Sequence, residues 1–404
     1  GQSGKQRPRV YLFFSTFSAY SSGYLGLSGV YPPSMELSDL KWETVTGKDI
    51  GIDLSMFKRR LTLNLDAYEN TTTDLYFQNL QISAVSGYND VDLNYGKMDN
   101  RGWEVGLNAI LKKSKKLNID FGFNIARNLN IIREVSEYFP SQEGFSDRNG
   151  SYKRFLRIDN PFGSFYGYRF KGVYKDTEAT IAKGADGNPI LGPNGDPVYM
   201  RFNYPATDYV FQQGDAIYED INHDGNIDSR DVVYLGNSNP KLTGGFGPSF
   251  NFNGRLRVTA FFSYRLGYQV VNQTDMNTTN MYSYDNQSTA VLRRWRNPGD
   301  VTDVPRAVFG AGYNWLGSDR YVEDASFLRF RSATVSYTFS KKITNRLKMK
   351  DLRMYVTGEN LYTWTKYKGQ DPEVTAPRGV FGIAIDNSRT PATRRFTLGL
   401  STRF

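Results

Sequence analysis

The sequence predicts an all-β fold, a transmembrane antiparallel β-barrel. Three observations predict it. Apolar and polar residues alternate over about ten segments. The connections between segments are alternately long and short. Aromatic residues make up 15% of a chain whose mean hydropathy is only −0.53. A barrel strand turns one face to lipid and the other to the lumen, so it is hydrophilic on average and apolar at every second position. No stretch approaches the roughly 18 apolar residues of a membrane helix; the longest bulky run is Tyr11-Leu12-Phe13-Phe14. The aromatic content argues against disorder.

Taken in order, the expected strands fall near 9–18, 45–56, 60–73, 101–112, 116–130, 243–253, 255–268, 327–339, 351–363 and 394–404. Leu117, Ile119, Phe121, Phe123 and Ile125 share one face, with Asn118, Asp120, Gly122 and Asn124 on the other. That is the period of two that a strand imposes. Ile50, Ile52, Leu54 and Met56 repeat the pattern, as do Leu61, Leu63 and Leu65, then Trp103, Val105 and Leu107, and finally Phe396, Leu398 and Leu400. In the segment at 327–339 the apolar phase slips between Phe330 and Ala333, which predicts a bulge.

Long connections cover about 19–44, 74–100, 131–242, 269–326 and 364–393. Short ones are Phe57-Lys58-Arg59, Lys113-Ser114-Lys115 and Gly254, with a moderate one at Ser340–Lys350. Counting back from a last strand that ends in the periplasm, every short connection lands on that side, as barrel architecture requires. A soluble all-β sandwich would also alternate, but its turns recur every 8–12 residues, without loops as long as 131–242.

Composition narrows the chemistry. The chain has no Cys and a single His, His223, which removes disulfides, Cys nucleophiles and multi-His metal sites. The charge of 50 − 41 = +9 brings no nucleic-acid motif with it. Its Lys and Arg gather at the short turns (Lys58-Arg59-Arg60, Lys112-Lys113, Lys115-Lys116) and on lumen faces (Arg395, Arg403). No carboxylate pair can be placed at a glycosidase separation, and the protein is not expected to be an enzyme.

The sharpest local motif is Asp220-Ile221-Asn222-His223-Asp224-Gly225-Asn226-Ile227-Asp228-Ser229-Arg230-Asp231. Asp220, Asn222, Asp224, Asp228 and Asp231 put oxygens at positions 1, 3, 5, 9 and 12. Asn226 would offer its carbonyl at position 7, and Gly225 allows the sharp turn. This is calcium-loop spacing, with Asp in place of Glu at the last position. The expectation is a structural Ca2+ that stiffens a long loop. An Asx-turn-rich loop without metal is the alternative. His223, at position 4, is expected to be exposed and inert.

Several strings point to one family. They are Asp39-Leu40-Lys41-Trp42-Glu43-Thr44 with Asp49-Ile50-Gly51-Ile52-Asp53-Leu54, Asn94 to Glu104, Phe165-Tyr166-Gly167-Tyr168-Arg169, Gly214 to Asp220, and Leu235-Gly236-Asn237-Ser238-Asn239-Pro240. Leu292-Arg293-Arg294-Trp295, Tyr321 to Arg329, Gly358-Glu359-Asn360-Leu361 and Gln370-Asp371-Pro372-Glu373 follow. In this order they resemble SusC/RagA-like TonB-dependent transporters from Asp39 to the end.

The resemblance implies that residues 1–404 are about the last ten strands of a 22-stranded outer-membrane barrel, the plug and TonB-binding segment lying outside this chain. It implies a SusD-like lipoprotein lid and TonB-driven import of oligosaccharides or peptides. A barrel that only scaffolds surface lipoproteins is the other reading. Tyr282, Tyr284, Tyr313 and Trp315, in the loop before residue 327, are candidate contacts for substrate or lid. Terminal Phe404 resembles the barrel assembly signal, and it equally suits an aromatic girdle.

Overall fold

The computed structural model describes residues 2–4, 16–20, 27–82, 84–88, 90–135, 148–376 and 382–403. Its frame is one 10-stranded sheet. The strands are β1 (Gln2–Gly4), β2 (Thr44–Met56), β3 (Leu61–Thr73), β4 (Lys97–Lys113), β5 (Leu117–Glu134) and β6 (Leu242–Phe252). They continue with β7 (Leu256–Leu266), β8 (Phe327–Thr338), β9 (Asp351–Thr365) and β10 (Arg395–Arg403). Each pairs antiparallel with its neighbours in sequence, so the spatial order is the chain order.

Nine of the expected strands appear within a few residues of their expected bounds. The first does not. Most of 9–18 lies outside the described residues, and β1 is instead Gln2–Gly4 against Thr44–Thr46. Ser18–Ala19 joins Val30–Tyr31 in a separate small ribbon. Phe404 also lies outside the described residues.

Register explains the alternation. Ile52, Leu65, Val105 and Ile125 stand opposite one another on successive strands. Phe246, Phe262, Phe330 and Tyr362 do the same further along, with Phe262 stacked on Phe246 at 4.9 Å and on Phe330 at 4.6 Å. This apolar face is unpartnered: Ile50, Phe396 and Leu398 are 66%, 72% and 74% exposed. A continuous apolar face of this extent suits lipid. On the opposite face Asp53, Asn64, Gly106 and Asn124 form a polar row. Glycines there admit aromatic side chains from the next strand. A Cβ on Gly399 would lie 2.1 Å from the Tyr355 ring, so only Gly lets that ring lie flat against the wall.

The expected phase slip is a bulge at Arg331. Phe330 pairs with Phe262 and Ser332 with Phe261, which leaves Arg331 without an opposite number. The same shift interrupts the β8–β9 ladder.

The short connections gather at one end of the sheet. Phe57, Lys58 and Arg59 turn through positive φ, and the β8–β9 connection holds the helix α1 (Lys341–Arg346). At the other end, residues 148–241, 267–326 and 366–376 with 382–394 fold together into a lobe. Among the described residues the most buried are there, not in the sheet: Phe165, Tyr166, Phe202, Ala216 and Ile227 are 0% exposed.

Candidate functional site in the lumen wall and loop lobe

The lobe holds itself together through residues of the recognised strings. Asp215 is fully buried and takes Arg306 Nε at 2.7 Å, Tyr209 Oη at 2.7 Å and the Gln212 amide at 2.9 Å. Gly214, at φ +84°, faces the Trp295 ring, where a Cβ would approach to 2.4 Å. Trp295 Nε1 in turn donates to the Lys175 carbonyl at 3.2 Å. The string around Asn237 ties three connections together. Asn237 Nδ2 donates to the Phe162 carbonyl, its amide donates to Gln269, and Ser238 Oγ accepts from the Ala384 amide. Buried polar groups need partners, and Asp215, Trp295, Asn237 and Ser238 have them.

A charge cluster joins the lobe to the wall. Arg329 is 2% exposed and donates to Asp371 and, at 3.0 Å, to Glu373. The bulge aims Arg331 at Glu373 (3.1 Å) and Ser263 Oγ (3.0 Å), and Arg265 lies 3.5 Å from the same carboxylate. Burial alone would raise the pKa of Asp371, but the Glu373 amide and the Arg329 guanidinium outweigh it and hold the carboxyl below its usual range. The strings ending at Arg329 and at Glu373, 44 residues apart, are therefore the two halves of one contact.

The acidic loop is closed by its own carboxylates. Asp220 accepts the amides of Asp224 and Gly225, at 3.3 and 2.8 Å. Asp231 accepts those of Ile221 and Asp228, both at 2.8 Å. Asp228 caps the short helix at Ser229–Asp231, and His223 is exposed at φ +56°. Arg230 puts its guanidinium between Asp224 (2.5 Å) and Asp228 (2.6 Å). Burial raises the Asp228 pKa and Arg230 more than reverses it, whereas burial keeps Asp231 above its usual value. Among the described residues no three His, Cys, Asp or Glu side chains converge as a ligand set. An ion in this loop would have to displace Arg230 from Asp224 and Asp228.

The four aromatic residues separate. Tyr313 packs on Phe202 at 4.4 Å and Tyr209 at 5.2 Å, at the margin of the lobe core. Trp315 meets Tyr282 edge-on at 5.6 Å, and Tyr282 Oη donates to the Gly310 carbonyl. Tyr284 alone is open, 93% exposed, with Phe309 beside it at 4.6 Å. Phe309 had no periodic or motif signal in the sequence; only folding brings it to Tyr284.

No protein-family model matches the chain. It is 29% identical over 416 residues to TonB-dependent receptor P39 of Formosa agariphila, covering 97% of this chain and 38% of that protein. It is 25% identical over 412 residues to TonB-dependent receptor SusC of Bacteroides thetaiotaomicron, covering 98% and 35%. The chain is a relative of the TonB-dependent receptors, SusC among them. It spans 35–38% of the length of these relatives. A structure of the RagAB peptide transporter shares its fold, with TM-score 0.75 and 21% identity over 99% of this chain and 40% of that one. The open-open state of the RagAB peptide importer gives TM-score 0.73 and 20% identity, covering 100% and 39%. The chain is an outer-membrane β-barrel protein, and none of its described helices is long and apolar enough to cross a membrane.

Proposed function

We propose that this chain supplies lumen wall and loop lobe to a TonB-dependent importer of oligosaccharides or peptides, working with a SusD-like lipoprotein lid. The observation that supports it best is the likeness to TonB-dependent receptors over 97% of the chain, joined to a lobe built from the very strings that carry the likeness. An apolar outer face anchors the wall, the polar inner face lines a path, and the packed lobe offers a surface to substrate and lid. Within the lobe, Tyr284 and Phe309 form the exposed aromatic pair best placed to stack on a sugar ring or a peptide side chain.

The test uses cells carrying the full-length receptor and its neighbouring lipoprotein, fed labelled oligosaccharides and peptides. Uptake that disappears without TonB supports import and names the substrate class. Surface binding of lipoprotein with no TonB-dependent uptake of either class would favour a scaffold.

Calcium in the 220–231 loop belongs to this proposal. The ion would take Asp220, Asn222, Asp224, the Asn226 carbonyl, Asp228 and Asp231, and would hold the lobe stiff. Supporting it are the twelve-residue spacing and the amide contacts of Asp220 and Asp231. Chelation should then increase protease cutting between Tyr199 and Pro240; unchanged cutting would leave Arg230 as the loop's own cation.

A further inference from the structure

The charge of the chain is concentrated at one edge of the wall. The four short connections with their strand ends, residues 57–60, 111–116, 253–255 and 339–350, carry three, four, one and five Lys or Arg and no Asp or Glu. They hold +13, and the rest of the chain holds 37 − 41 = −4, so the net +9 comes entirely from this edge. Folding lines these charges up. The Ile110 amide donates to the Arg60 carbonyl at 2.7 Å, the Asn253 amide to the Lys116 carbonyl at 2.8 Å, and the Thr338 amide to the Arg255 carbonyl at 2.9 Å. Those bonds join the four connections into one continuous rim. All thirteen cations are exposed, and among the described residues none forms an ion pair. In the lobe, by contrast, Arg201, Arg230, Arg293 and Arg306 each sit on a carboxylate. Like charges held side by side repel one another, so the rim is complementary to an anionic surface.

Charge alone suits any polyanion. The apolar residues among the cations decide between them. Phe57, in the β2–β3 turn, is 73% exposed, and Leu111, at the register shift between β4 and β5, is 63% exposed. Ile343 and Leu347, four residues apart at α1, are exposed as well. Phe252 ends the apolar face of β6, opposite Leu117 and Leu256. The lipid-facing surface therefore runs directly into the basic rim. Rings and alkyl stems of this kind enter the acyl boundary of a bilayer while Lys and Arg heads reach the headgroups.

We propose that this rim docks anionic phospholipid headgroups of the leaflet that meets the short turns, the periplasmic one in outer-membrane barrels. It is a collar of point charges without a pocket, so it selects lipids by charge. Each Lys or Arg close to such a surface strengthens binding by about fivefold, and salt screens the effect. The collar fixes the depth at which the wall sits in the bilayer. It rests on the outer-membrane placement of the chain and not on import.

The test uses the full-length receptor in a neutral maltoside detergent. Phosphatidylglycerol and phosphatidylcholine with the same acyl chains are offered together, and retained lipid is counted by native mass spectrometry. The parent should prefer phosphatidylglycerol, and the preference should shrink as salt rises. Lys112→Gln, Lys113→Gln, Lys115→Gln and Lys116→Gln combined should cut it at least about tenfold, while the same four positions changed to Arg should keep it. A second set, Lys342→Gln, Arg346→Gln and Lys348→Gln, should act in the same direction, so a folding failure in one set leaves the other to decide. The heat-modifiable shift on gels identifies assembled barrel. Equal retention of the two lipids by the parent, or an undiminished preference in an assembled Gln variant, overturns the proposal. A parent without lipid preference that instead captures poly-glutamate would assign the rim to a soluble acidic partner and overturn it as well.

Discussion

The wall and the lobe are built by opposite means. In the wall, strand neighbours satisfy the backbone while side chains on both faces stay open; Leu398 and Ile50 are largely exposed. That is the solution lipid demands, because hydrocarbon forgives apolar side chains but not bare peptide groups. The lobe has little regular structure and is held by buried rings and buried hydrogen bonds, with Tyr166 and Phe202 wholly enclosed. Regular hydrogen bonding therefore does not mark where this molecule is packed most tightly. The long connections carry its globular core.

The largest way to sharpen this contrast is Asp215→Ala in the full-length receptor. It strands Arg306 and Tyr209 in the core, a loss of about 3–5 kcal/mol. Limited proteolysis should open the lobe within 148–241 while the barrel keeps its heat-modifiable shift on gels. Loss of that shift would mean the two regions unfold as one. Next comes Ile52→Arg on the outer face, worth about 2–4 kcal/mol near the bilayer midplane. Assembled barrel in the outer-membrane fraction should fall, with lobe proteolysis of the remainder unchanged.

Smaller effects probe the junction. Glu373→Gln removes charge from the acceptor of Arg329 and Arg331, with an expected loss of about 1.5–3 kcal/mol, read as faster cutting in residues 366–376. Acid should act on the same joint. Asp371 has a folded pKa below its ordinary value. Its contribution is therefore complete above about pH 4 and disappears as pH falls through the lowered value. Proteolysis of this connection by an acid-active protease should accelerate below pH 4 and stay flat from pH 5 to 8. Smallest is Tyr284→Ala, which changes stability by no more than about 0.5 kcal/mol. Substrate uptake should fall all the same if the open aromatic pair makes contact with cargo.

The wall was legible in the sequence because its signal is local. A period of two and a run of turn residues suffice to place β2 through β10, and one phase slip located the bulge at Arg331. The lobe was not legible in the same way. The strings around Asp215, Asn237 and Asp371 stood out, but their partners, Arg306, Ala384 and Arg329, lie tens to more than a hundred residues away, with no periodicity linking them. The aromatic residues illustrate the limit. Tyr282, Tyr284, Tyr313 and Trp315 look alike in the sequence, and only packing separates the open Tyr284 from Tyr313 against the core.

The strict chain-order pairing of the sheet also sets a schedule for folding. Each strand pairs with the one before it, and the four pairs joined by short connections can form as local hairpins at a small loop-closure cost, while the other pairings must close long connections. The lobe must wait. Its bonds from Tyr152 to Ser318 and from Ser238 to Ala384 span 166 and 146 residues. A chain folding in the membrane should therefore display paired hairpins with open, cleavable loops before the lobe closes over one end, and the last connection to arrive, ahead of β10, locks the others in place.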